Sequence, residues 1–382
     1  MRKIQFYPTP TQKKYLNIWF GVYRYFYNSA KYKSEELEIY NYMTLEPTMR
    51  TDSKFTMPKK WEEIKIPPRI IRGAIKDYCS SCKTCFTHLK LGLITHFNIN
   101  IKRKHQATQT LNLEKNCFGK NNILFPTAVK DFGKFIGKYK DKHNGKKRKI
   151  QIKDIKIDHD CRISYQYDKY YLLIPYLKTE RKSNPKYSCI AIDSGIRTFQ
   201  TGFCLDNQHS IEICKDINEK IKPLTDKIDL LTTKYQKFPK RFKKRKRIRA
   251  RRRKVFEKIN NKVLDLHWKT CSFLTDNYKH IIISDFKTKD LFKGKILRHV
   301  SKRSMSILSH FKFRERLKEK CACRGAWLFI VDESYTTKTC GNCGKINRFL
   351  GGCKNFNCPF CEYEADRDDN GGRNIGLKTL FS

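Results

Sequence analysis

The sequence predicts an α+β protein of several domains: a helical lobe and a small β-barrel in the N-terminal half, and a sheet-centred C-terminal domain with an inserted zinc ribbon. Three observations predict it. The 382-residue chain exceeds one typical domain and can bury more than one core. Its hydrophobic spacing is helical up to about residue 90, strand-like from about 97 to 177, and mixed beyond. Two CxxC pairs then sit near the C-terminus.

The pairs Cys340/Cys343 and Cys358/Cys361 are fourteen residues apart, so two short turns can bring four thiolates around one zinc ion. Gly341, Gly344 and Pro359 supply the turns. The extra Cys353 reads as a spare thiol, and spacing alone leaves a swap with Cys358 open. Four free cysteines is the competing reading. A zinc ribbon implies stability or nucleic-acid contact, not catalysis.

A net charge of +45, from 82 basic and 37 acidic residues, points to a polyanionic partner. Twenty-five Phe and 20 Tyr could stack on unpaired bases, although most belong to cores. No run approaches 18 apolar residues and no signal-peptide segment opens the chain, so a soluble, intracellular protein is expected, with no membrane partner. The 16 cysteines then read as thiols and metal ligands, with Cys79, Cys82 and Cys85 as buried or free thiols on a helix.

Residues 1–8 alternate as a strand, and Thr9-Pro10-Thr11-Gln12 has the cap and proline of a helix start. That helix carries Leu16, Phe20, Tyr23, Tyr27 and Ala30, and a second follows Pro67-Pro68 to about residue 90. Strands are expected at 107–113, 149–157 and 161–176, suiting a small barrel. Tyr187 to Asp193 is a buried strand that ends in a carboxylate, and short strands follow at 197–205 and 209–214. A meander starting at a carboxylate suggests an RNase H-like sheet.

A long helical region follows Lys215 and breaks at Pro239. Lys240 to Lys254 then holds 12 basic residues in 15, a segment expected to complete its helix against phosphate and readable as a nuclear localisation signal. Further strands are expected at 280–286 and 326–331, helices at 299–323, and a last helix from Asp366 to Leu380.

Two-metal hydrolysis of a phosphodiester needs hard oxygen ligands converging from separate elements. Asp193 at the first strand, Glu333 just past a later strand and Asp368 at the start of the last helix meet that need.

The motifs IAIDSGIRT, SYTTKTCGNCG, CPFC and DRDDNGGRNI, with FYPTPTQ and RYFYN near the start, resemble the TnpB family of transposon-encoded RNA-guided DNA endonucleases. The resemblance spans nearly the whole chain. It implies a RuvC nuclease over 184–336 and 363–382, a zinc ribbon over 337–362, a wedge-like barrel over 1–10 and 96–183, and a helical recognition lobe over 11–95. It further implies catalytic magnesium, two ions on Asp193, Glu333 and Asp368, and one structural zinc. The implied partners are an omega-type guide RNA and double-stranded target DNA with an adjacent motif, bound by a monomeric ribonucleoprotein.

The family places a catalytic Glu where this chain has Ser284, in IIISDF. Serine cannot replace a carboxylate at comparable strength. Glu333 is the substitute favoured over Asp285, because alternation should turn Asp285 away from the site. A relocated glutamate is a feature of the Fanzor proteins, the eukaryotic and viral relatives, and it agrees with nuclear localisation; otherwise a cytoplasmic protein is expected. The other readings are a nuclease-inactive RNA-guided binder and an unguided zinc-ribbon DNA-binding protein.

Overall fold

The computed structural model describes residues 2–52, 56–61, 66–133, 136–140, 147–151, 155, 157–177, 180, 182–239, 242–286, 299–332, 334–351 and 355–381. The chain divides into two compact units, Met1–Leu177 and Lys178–Ser382.

In the first unit, strand β1 (Arg2–Phe6) turns Ile4 and Phe6 inward. Helix α1 (Pro10–Leu37) starts as its sequence signals. The Thr9 hydroxyl accepts from the Gln12 amide, the Gln12 side chain accepts from the Thr9 amide, and Pro10 occupies the first turn. Helix α2 (Tyr42–Thr51), capped by Asn41, was not legible in the spacing. Helix α3 (Pro68–Lys90) buries Cys79 and Cys82, and burial pushes the Cys79 thiol up to about 12, the behaviour of a small core residue.

Arg24 and Asn28 of the RYFYN motif act as ties. Arg24 donates to Gln109 Oε1 (2.7 Å), and Asn28 exchanges two hydrogen bonds with the Lys102 main chain, much as a strand partner would. The Lys102 ammonium sits 3.9 Å above the Tyr27 ring and pairs with Asp77.

Strands β2 (Thr108–Leu113), β3 (Ile136–Lys140), β4 (Lys147–Gln151), β5 (Cys161–Gln166) and β6 (Lys169–Ile174) join β1 in an antiparallel sheet of order β2-β5-β6-β1-β3-β4. The region expected as 161–176 is thus a hairpin. It reverses at Tyr167 and Asp168, both at positive φ (52° and 61°), as a two-residue hairpin turn requires. Among the described residues β2 and β4 are not paired with each other, so the six strands form an open sheet. Trp19 stacks on Phe132 at 5.0 Å in the core.

In the second unit, β7 (Tyr187–Ser194), β8 (Gln200–Cys204) and β9 (His209–Ile213) make an antiparallel meander. Helices α4 (Ile217–Gln236) and α5 (Lys243–Asn277) follow, then β10 (Tyr278–Ser284), α6 (His299–Leu308), α7 (His310–Arg324) and β11 (Trp327–Val331). Strands β10 and β11 add in parallel on the other side of β7, giving the order β11-β10-β7-β8-β9. That is the RNase H-like arrangement, with parallel strand ends gathered where Asp193 stands.

Alternation assigns the two faces of this sheet. Ile190, Ile192, Ile281 and Ile283 pack with apolar residues of α4, α5 and α7. Ala191, Ile282 and Val331 pack on the opposite face against Ile375 of the last helix, α8 (Arg367–Phe381). Short strands β12 (Asn355–Asn357) and β13 (Glu364–Asp366) precede α8.

The basic segment is helical from Lys243. Like charges at i and i+4 would weaken it alone. Docking offsets them: Ile248, Val255, Ile259 and Val263 join Ile228 and Leu231 of α4 in one core, while Arg245 and Arg252 lie 4.2 and 5.2 Å over the Tyr235 ring.

Candidate functional site

Asp193 is the next-to-last residue of β7, half-buried and paired in register with Thr201 of β8. It lies on the α8 face. A Cβ built on Gly371 would stand 3.3 Å from Asp193 Oδ2, so the carboxylate meets the helix where a glycine leaves room. The same economy recurs at Gly376, where a Cβ would come within 2.9 Å of Leu205 and 3.2 Å of Ala191. Glycines at these two positions let α8 lie directly on β7 and β8.

Asp368, three residues before Gly371, occupies the first turn of α8 on the same helix face. Asp366 caps that turn by accepting from the Asp368 amide (2.9 Å). Asp369 stands beside it, and burial raises its pKa; the charges of Asp366, Glu212 and Asp368 add to the rise, against a hydrogen bond with Ser210. Carboxylates from a strand edge and a helix start therefore share one region of a strongly basic chain. The helix dipole favours anions there, and an added cation would relieve their mutual repulsion.

Glu333 lies outside the described residues. Asp285 faces the other way: its carboxylate meets Arg314 of α7 at 2.8 Å, on the face opposite α8. Ser284 is fully buried at the end of β10, and its Oγ has no hydrogen-bond partner among the described residues. Hard oxygen donors beside an unpaired buried hydroxyl fit a divalent cation.

The four predicted cysteines converge. Their sulfurs all lie within 4.8 Å of one another, with Cys340 to Cys361 at 3.7 Å and Cys343 to Cys358 at 3.6 Å. A tetrahedral zinc thiolate site has sulfurs about 3.8 Å apart, so the set can hold zinc. Each CxxC turn bends back on itself: Cys340 N donates to Lys345 O and Cys358 N to Tyr363 O, both at 2.9 Å. Cys353 lies outside the described residues.

The knuckle and the acidic helix are one assembly. Asn370 accepts from Gly341 N (2.9 Å) and donates to Thr339 O (2.8 Å), while Asn374, one turn on, donates to Thr336 O (2.9 Å) and Thr339 O (2.7 Å). Both asparagines are almost fully buried. Their role was missed in the sequence, although the i, i+4 asparagines of NGGRN carry the signal. Asn374→Ala should deprive Thr336 O of its side-chain donor and leave Thr339 O to Asn370 alone, lowering stability by about 1–3 kcal/mol. An unchanged denaturation midpoint for the ribbon would refute the clamp.

A family profile described as "Probable transposase", of the IS605 OrfB type, matches residues 171–295. Others described as "Cas12f1-like, TNB domain" and "Helix-turn-helix domain" match 310–375 and 1–37. The chain is 32% identical over 399 residues to "Putative transposase A625R" of Paramecium bursaria Chlorella virus 1, covering 99% of this chain and 86% of that one. It is 29% identical over 401 residues to "TnpB-like protein L770" of Acanthamoeba polyphaga mimivirus, covering 99% and 74%. A shorter match, 30% over 134 residues, links 34% of this chain to 32% of a "Putative RNA-guided DNA endonuclease" of Streptomyces pristinaespiralis.

Proposed function

Because the chain belongs to the TnpB/IS605 transposase family and carries its Cas12f1-like TNB domain, we propose that it is an RNA-guided DNA endonuclease acting at the carboxylates around Asp193. The observation that carries the reading is the approach of Asp193 Oδ2 to Gly371 at the acidic start of α8. The relative named as an RNA-guided endonuclease supports the guided part.

In this reading Asp193, Asp368 and Glu333 hold the catalytic magnesium, which supplies Lewis acidity and an activated water when bound. Asp366 fixes the helix turn that presents Asp368. The asparagine clamp keeps that turn seated while nucleic acid is handled, and zinc on the four cysteines keeps the ribbon folded. The Arg and Lys side chains of α5 hold the phosphates of an omega-type guide RNA paired with target DNA, whose adjacent motif is read by the N-terminal half. The wedge, recognition and nuclease divisions, the place in the Fanzor branch, the monomeric particle and nuclear localisation belong to the same proposal.

The test is magnesium-dependent cleavage of a target plasmid by protein co-expressed with its own flanking RNA. Removing a metal ligand forfeits several kcal/mol of charge stabilisation, so Asp193→Ala and Glu333→Ala should each cut about a thousandfold more slowly. A Glu333→Ala protein that cuts normally removes Glu333 from the site.

The uncharged Ser284, which follows Ile283 on β10 as Asp193 follows its partner Ile192 on β7, favours a second reading: a guided binder that does not cut. Guided binding with no cutting by the wild type would select it.

A further inference from the structure

At the ends of β7 and β10, beside the carboxylates, stands a side-chain hydroxyl with no assigned role. Ser284 Oγ is buried and has no hydrogen-bond partner among the described residues. A buried hydroxyl left without a partner is destabilising, so its presence calls for a partner in the working protein.

The sheet fixes where that partner must lie. Ile283 pairs with Ile192 of β7, so Ser284 stands level with Asp193 on the neighbouring strand. On its other side Ser284 pairs with Val331 of β11. Ala191 and Ile282, two residues earlier on their strands, pack with Ile375 of α8, which places Asp193 and Ser284 on that same face. Among the described residues the opposite face supplies no side-chain partner. Arg314 there gives Nη1 to the Ser284 main-chain oxygen (3.5 Å) and Nη2 to Asp285 (2.8 Å).

Resting on the cation-binding reading of the site, we propose that Ser284 is a positioning residue whose hydroxyl hydrogen-bonds a water on the divalent cation held by Asp193. A neutral hydroxyl is a weak direct ligand for a hard cation, and such cations keep several of their waters. One of those waters gives the orphaned hydroxyl its partner and ties the ion to the β10 end. Ser284 thus acts through the water shell, while the carboxylates carry the charge.

The test uses the full-length, zinc-loaded protein titrated with Mn2+, the free ion being followed by electron paramagnetic resonance, and thermal unfolding without added Mn2+. Ser284→Ala should bind Mn2+ about tenfold more weakly than wild type, while its unfolding midpoint without Mn2+ stays the same or rises. Asp193→Ala should lose the site. Three outcomes overturn the proposal in distinguishable ways. Equal Mn2+ affinity of Ser284→Ala and wild type, with Asp193→Ala defective, removes Ser284 alone. A midpoint that falls together with affinity assigns Ser284 a structural role. Mn2+ binding that Asp193→Ala leaves intact, or that the wild type lacks, removes the cation-binding reading and this inference with it.

Discussion

Stripping the metal from Cys340, Cys343, Cys358 and Cys361 with a chelator, or replacing Cys358 by Ser, should unfold the ribbon while the β7–β11 sheet stays folded. The ribbon's own core is Cys340, Phe356 and Cys358, with Leu350, Cys361 and Tyr363 half-buried around it. So few apolar side chains cannot repay the ordering of the surrounding chain, whereas structural zinc contributes roughly 10–16 kcal/mol of binding free energy in small zinc domains. The loss should spread to α8. Gly341 N and the carbonyls of Thr336 and Thr339 are the partners of Asn370 and Asn374, so loosening the knuckle frees the helix turn that carries Asp368. Amide hydrogen exchange should show residues 355–380 losing protection by orders of magnitude on chelation, while β7 and β10 keep theirs. Unchanged protection across the ribbon would mean that it stands without metal.

What the sequence revealed follows from how local each signal is. The capping box at Thr9, the four cysteines and the strand alternation around Asp193 are written in neighbouring residues, so their geometry was readable. Asp285 points away from α8, as the period of a strand requires, and the Arg314 pair meets it there. Helix α2 was not readable because its buried side chains, Leu45 and Met49, give too short a stripe to stand out. The split of 161–176 depended on Tyr167 and Asp168 taking positive φ without a glycine to announce it. The asparagine clamp and the orphaned Ser284 hydroxyl depend on contacts across dozens of residues, which no local pattern carries. The basic segment was expected to complete its helix against phosphate, yet it is helical from Lys243 with no phosphate present. Its docking through Tyr235 needed a partner helix that periodicity alone does not pair.

Lowering the pH from 6.5 toward 4 should destabilise the second unit by several kcal/mol, beginning at a buried ring stack behind Asp193. Phe199 stacks against both His267 (5.3 Å) and His310 (5.4 Å), and both imidazoles are buried. Burial lowers each pKa to about 4; the charge of Arg316 adds to it at His267, and that of Arg314 at His310. The hydrogen bonds require neutral rings. His267 Nε2 donates to Leu308 O (2.8 Å), which leaves Nδ1 to accept from the Arg316 guanidinium. Gln200 Oε1 is taken by Ser194 Oγ, so its amide nitrogen faces His310 Nδ1, which must accept. In the unfolded chain both groups titrate near 6.5. The unfolded state therefore binds more protons between about pH 6.5 and 4. Stability is complete above that window and lost as pH falls through it, by about 3 kcal/mol for each shift of this size. Between pH 6.5 and 5 most carboxylates stay ionised, so the slope there reports the histidines. Denaturant midpoints read on β7 and α7 by hydrogen exchange should fall over that range, and His310→Gln should flatten the slope by about half. A wild-type midpoint that does not move would mean that the rings accept protons in place. Because Ser194 and Gln200 flank the loop that leaves Asp193, the first acid-induced opening should displace that carboxylate before the sheet itself yields.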